Sequence, residues 1–104
     1  MQRMGLIIGL KAEKIDEYRR LHANVWPSVL DQIAACNIRN YSIFYRDGLL
    51  FSYYEYVGDD FEADMAKLDA EPRNKAWLAI CDPMQIPLKG EKSWAVMEEV
   101  YRND

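Results

Sequence analysis

Tyr41-Ser42-Ile43-Phe44-Tyr45-Arg46-Asp47-Gly48-Leu49-Leu50-Phe51-Ser52-Tyr53-Tyr54-Glu55-Tyr56-Val57 is the stretch that decides the fold. Two runs rich in aromatic and β-branched side chains, 41–45 and 49–57, flank an Asp-Gly pair. Such a pair suits a two-residue turn whose central residues both need positive φ, so the stretch predicts an antiparallel hairpin. Alternation along the second run puts Leu49, Phe51, Tyr53, Glu55 and Val57 on one face. Leu50, Ser52, Tyr54 and Tyr56 fall on the other. Both faces carry large residues.

Upstream of the hairpin, Ile15, Tyr18, His22, Val25, Val29, Ile33 and Cys36 recur at three- and four-residue steps, one face of a helical segment. Pro27 interrupts it by removing a backbone donor, which predicts a kink or a restart near Trp26. Before that segment, Met4–Leu10 is a short apolar run containing Gly5 and Gly9, consistent with a strand. Downstream, Asp59 or Asp60 can cap a helix running roughly from Phe61 to Leu68. Pro72 suits the first turn of another helical stretch ending near Cys81. Residues 82–93, with Pro83, Pro87 and Gly90, read as a loop, and Trp94–Tyr101 as a final strand. No internal repeat or linker divides the chain, so residues 1–104 form one domain.

The order β-α-β-β-α-β is the α+β, ferredoxin-like arrangement: a four-stranded antiparallel sheet with helices on one face. The last strand again carries large residues on both sides, Trp94, Val96, Glu98 and Val100 opposing Ala95, Met97, Glu99 and Tyr101. A face left to water is normally polar. Another subunit, a ligand or both must therefore cover the second face, which predicts a homodimer with a pocket.

A net charge of −4, with both signs interspersed, argues against non-specific nucleic-acid binding, which needs a basic face. The apolar run Met4–Leu10 is too short to span a bilayer and too lightly charged at its start for a signal peptide. Cys36 and Cys81 are isolated. They could form one disulfide, but free buried thiols in a reducing compartment are the favoured reading, and with it a soluble, cytoplasmic chain.

His22 is the sole histidine, which argues against a histidine-built metal site. Phosphate loops, nucleophile elbows and dinucleotide fingerprints are absent from the sequence. The plain reading of His22 is a satisfied, half-buried helix residue. Tyr18 and Trp26, one turn to either side, raise a functional one, because aromatic rings stack on the apolar face of a pyranose while imidazole and hydroxyl meet its oxygens. The same trio suits core packing. Glu98 and Glu99 point to opposite faces of their strand, and either can enter the uncovered side. Asp59, Asp60, Glu62 and Asp64 read as a capped, solvated helix start.

Tyr18-x-x-x-His22-x-x-x-Trp26-Pro27, Asn40-Tyr41-Ser42-Ile43, Leu49-Leu50-Phe51, Trp77, Asp82-Pro83 and Met97-Glu98-Glu99-Val100 together resemble the L-rhamnose mutarotase family, in order and over nearly the whole chain. The resemblance implies a dimeric α+β barrel, formed where two ferredoxin-like sheets face each other. It implies interconversion of the α and β anomers of a deoxy-hexose, L-rhamnose first, without a cofactor or a metal. By the same resemblance His22 matches the family's proton donor, and Tyr18 and Tyr41 match substrate-binding positions. Trp77 matches one member of a tandem tryptophan pair. Ala76 stands where the other is usual, which implies a wider pocket beside Trp77 and a changed sugar selectivity. Ser28 replaces a common Glu after the Trp-Pro motif, and Arg102 a frequent His. Two other readings stand on the same barrel. One is a haem-binding or cofactor-free oxygenase, with the lone histidine as axial ligand or base. The other is a non-catalytic dimer that binds small metabolites.

Overall fold

A computed structural model describes residues 1–104. Asp47 and Gly48 both take positive φ, 50° and 80°, as the predicted turn requires. They join β2 (Ile38–Arg46) to β3 (Leu49–Tyr56). β1 (Gln2–Leu10) pairs antiparallel with β3 along its length, from Gln2 opposite Tyr56 to Gly9 opposite Leu49. The strand order is β2-β3-β1-β4, with β5 (Ala95–Met97) also on β1. This is the ferredoxin-like order.

The edge beyond β1 is shared by two short pieces. β4 (Gln85–Ile86) pairs with Gly9 and Leu10, and β5 pairs with Gly5, Leu6 and Ile7. The predicted final strand is therefore shorter than Trp94–Tyr101, and the predicted loop 82–93 hides a strand. Gly9 explains how β4 gets in: a Cβ there would lie 2.6 Å from the Ile86 carbonyl oxygen. Only a residue without a side chain permits that approach.

Between β1 and β2 the chain forms two helices, α1 (Ile15–Ala23) and α2 (Pro27–Ala35), so Pro27 causes a restart. Trp26 is extended, as the residue before a proline prefers, and Pro27 opens α2 where its missing N–H costs nothing. α3 (Phe61–Ala70) is capped by Asp60, whose side chain accepts from the Ala63 N–H. α4 (Pro72–Cys81) is capped by Glu71.

All four helices lie on one side of the sheet. On β3, Leu50, Ser52, Tyr54 and Tyr56 are buried, while Leu49, Phe51, Tyr53 and Glu55 on the opposite side are half-buried. Ile8, Leu10 and Leu50 from the sheet meet Tyr18, Val29, Trp77, Cys81 and Met84 in the core. Cys36 and Cys81 are free and buried. No helix is long and apolar enough to cross a membrane.

Candidate active site

A cavity of about 660 Å³ lies between the inner face of the sheet and helices α1, α2 and α4. Its walls are mostly apolar, with a few polar groups converging on it, the usual make-up of a small-molecule site. Tyr18, His22, Tyr41 and Trp77 all line it.

Tyr18 and His22 stand one turn apart on α1. Their rings stack with centroids 4.1 Å apart and planes 22° off parallel. The His22 Nδ1 lies 2.9 Å from the Tyr18 carbonyl oxygen. A carbonyl only accepts, so Nδ1 carries the hydrogen and donates it. The neutral ring then keeps its lone pair on Nε2. Burial lowers the His22 pKa from its ordinary value, and the bond to the Tyr18 carbonyl opposes that shift.

Trp77 meets His22 edge-on at 5.4 Å, and Trp26 meets the far side of Trp77 edge-on at 5.2 Å. Trp77, not Trp26, is thus the indole beside His22. The helix break at Pro27 carries Trp26 away from the turn it would occupy on a continuous helix. Trp26 buttresses Trp77 instead, with the Arg73 guanidinium 4.5 Å over its ring and Arg73 Nε donating to Ser28 Oγ at 3.4 Å.

Tyr41 reaches the cavity because β2 carries a bulge. Arg39 opposes Glu55 and Ser42 opposes Tyr53, so one extra residue sits on β2 between them. Asn40 absorbs it with φ 52°, and its side-chain amide donates to Glu55 Oε1 at 2.7 Å. Without the bulge strict alternation would turn Tyr41 outward. With it, Tyr41 stacks on Tyr54 at 5.5 Å. The residue as a whole is 45% exposed, yet burial around its hydroxyl pushes the pKa up to about 12. Burial also raises the Tyr18 phenol, against a bond donated by Gln85 Nε2 at 3.5 Å. Both phenols therefore stay protonated at neutral pH and can donate to sugar oxygens.

Ala76 is not brought to this site. Asn74, Trp77 and Cys81 form the buried face of α4, and Ala76, 100° round the helix from Trp77, is exposed and does not line the cavity. The expected widening of the pocket by Ala76 is corrected accordingly. Glu98 and Glu99 are exposed and outside the cavity, Glu99 lying 3.9 Å from Arg3. Tyr54, Asp82 and Trp94 also line the cavity, and Gln85 bonds the Tyr18 hydroxyl, yet no motif in the sequence marks them for the site. Only the alternation on β3, which sets Tyr54 on the face of Leu50, carried a usable signal.

The family model described as L-rhamnose mutarotase matches residues 3–103. An L-rhamnose mutarotase of Burkholderia cenocepacia is 33% identical over 81 residues, covering 76% of this chain and 78% of that protein. A UPF0734 protein of Dictyostelium discoideum is 34% identical over 101 residues, 88% of this chain and 80% of its own length. Among solved structures, the L-rhamnose mutarotase FA22100 from Formosa agariphila superposes with a TM-score of 0.81 over all of both chains at 19% identity, which shows the shared fold. The sequence match runs through every element that builds the cavity, and by it this chain belongs to the L-rhamnose mutarotase family.

Proposed function

We propose that this isomerase interconverts the α and β anomers of L-rhamnose, or of a closely related deoxy-hexose, through proton transfer at His22. Family membership supplies the reaction class and sets aside the oxygenase and the non-catalytic binding dimer. One observation carries the residue assignment. His22 is held by its Nδ1–H on the Tyr18 carbonyl, and its Nε2 has no protein partner in a cavity walled by Tyr18, Tyr41 and Trp77.

In the mechanism that follows, the sugar stacks on Trp77 and accepts hydrogen bonds from the two phenols. Protonated Nε2 delivers its proton to the ring oxygen, and the bond from that oxygen to the anomeric carbon breaks with its electron pair going to oxygen. A second group takes the proton of the anomeric hydroxyl, leaving an aldehyde. The aldehyde turns about the adjacent bond, and the reverse steps close the ring on its other face. Burial serves the first step, because a lowered pKa makes the imidazolium a stronger acid. No cofactor is called for. The working unit in this reading is a cytoplasmic homodimer that covers the outer sheet face, and its sole partner besides itself is the sugar.

Exchange NMR tests the reading. Purified protein should speed anomer exchange of L-rhamnose more than that of L-fucose and related sugars. Exchange at the spontaneous rate across the whole panel would overturn it.

A further inference from the structure

The proton that leaves the anomeric hydroxyl needs an acceptor, and His22 is engaged at the ring oxygen in the same step. Two carboxylates line the cavity, Asp69 and Asp82. Asp69 lies in the last turn of α3, and its charge acts on the Tyr54 phenol. Asp82 closes α4, five residues beyond Trp77, with its N–H bonded to the Leu78 carbonyl. Its charge acts on the Tyr18 phenol, the ring on which His22 stacks at 4.1 Å. Asp82, Tyr18 and His22 line the same cavity.

The Asp82 carboxylate is also unspent. It forms no ion pair and accepts no side-chain hydrogen bond, whereas Asp60, Asp64 and Glu71 are each committed to a cap or a buried network. A carboxylate at a helix C-terminus faces the negative end of the helix dipole. Without a cation, that position adds nothing to stability. Asp82 is exposed as a whole residue, but partial burial of its carboxyl raises its pKa, which makes it a better base than a fully solvated carboxylate.

We propose that Asp82 is the second proton-transfer group of the site, paired with His22. The assignment rests on the anomer-exchange reading above. As His22 Nε2 protonates the ring oxygen and the ring bond breaks, the Asp82 carboxylate removes the proton of the anomeric hydroxyl, whose electrons form the aldehyde C=O. His22 is then neutral and Asp82 is protonated. After rotation the aldehyde closes: Asp82 returns its proton to the carbonyl oxygen, and Nε2 recovers the proton from the ring hydroxyl. Every proton is returned, and no co-reactant enters.

The test compares wild type, Asp82→Asn, Asp82→Glu and His22→Ala by exchange NMR on L-rhamnose, with circular dichroism for folding. Asp82→Asn keeps the size of the side chain and loses its basicity. It should lower kcat about 10²-fold or more, the usual range for a positioned base, with KM changed less than about threefold. Asp82→Glu should recover part of the rate, because it restores a carboxylate. The double variant Asp82→Asn/His22→Ala should be far less than multiplicatively slower, since the two groups act in one step. A folded Asp82→Asn at the wild-type rate, beside a slow His22→Ala, would overturn the role of Asp82 and leave the exchange reading intact. If Asp82→Asn fails to fold, a folded Asp82→Ser decides: a kcat lowered by a similar factor supports the role, and a wild-type kcat with only KM raised overturns it. A wild-type protein that does not speed exchange at all would overturn both.

Discussion

His22 shows how one side chain is tuned by three neighbours of different kinds. Tyr18 gives it a stacking surface and, through its carbonyl, a fixed tautomer; Trp77 closes the other side. Its pKa sits below the ordinary 6.5 because burial disfavours the charged ring. Nitrogen-detected NMR should find a titration midpoint below 6.5, with Nδ1 the protonated nitrogen of the neutral form. A midpoint above 6.5 would show that the ring is solvated or paired with an anion. The stability consequence has a definite sign. Between the folded value and 6.5 the unfolded chain binds more protons than the folded one, so stability rises with pH through that window and is lost as pH falls through it. His22→Gln should flatten that limb in denaturation measurements. For activity, His22→Ala should slow anomer exchange by about 10²- to 10⁴-fold. Sugar binding should weaken much less, because Tyr18, Tyr41 and Trp77 remain to hold the ring.

At the scale of elements, the bulge in β2 matters more to the site than the strand does. Asn40 holds φ 52°, a left-handed conformation that Asn tolerates and β-branched residues resist. Asn40→Val should cost about 1–2 kcal/mol in chemical denaturation and should turn Tyr41 away from the cavity, weakening sugar binding. Asn40→Gly keeps the backbone conformation and should bind sugar nearly as wild type does. Equal behaviour of the two variants would detach the bulge from the site. Gly9 gives a parallel case, since a methyl there meets the Ile86 carbonyl at 2.6 Å. Gly9→Ala should push β4 outward at about 1–3 kcal/mol, a typical overpacking cost, and with β4 goes the Gln85 bond to the Tyr18 hydroxyl. These two features mark the boundary of what the sequence made legible. The Asp47-Gly48 turn, the Asp60 cap, and the prolines opening α2 and α4 are local signals, and the structure follows them. A bulge, a two-residue strand between prolines and the exposed position of Ala76 depend on distant partners. Only the resemblance points to Tyr41, because its inward turn needs an extra residue that alternation does not reveal.

At the scale of the whole molecule, the surface asks for a partner. Only 15 of 104 residues are buried, too few to account for a chain that is half apolar. The helices cover the inner face of the sheet. On the outer face, register brings Phe51 opposite Ile7 and Phe44, and Tyr53 opposite Gly5. Beyond β5, Val100 and Tyr101 are 86% and 75% exposed. A second copy apposed sheet to sheet would cover this surface with its own equivalent, as twofold symmetry requires. A stable interface of this kind buries about 800 Å² per partner, which one face of a four-stranded sheet can supply. We therefore expect a dimer in sedimentation at micromolar concentration. Phe51→Glu places a charge in the middle of that face without touching the cavity on the other side of β3, because neighbouring residues point to opposite faces. It should give a folded monomer by sedimentation and circular dichroism. Wild-type protein that sediments only as monomer would mean that the outer face is left to water despite its composition, and the two-sheet barrel would have to be given up.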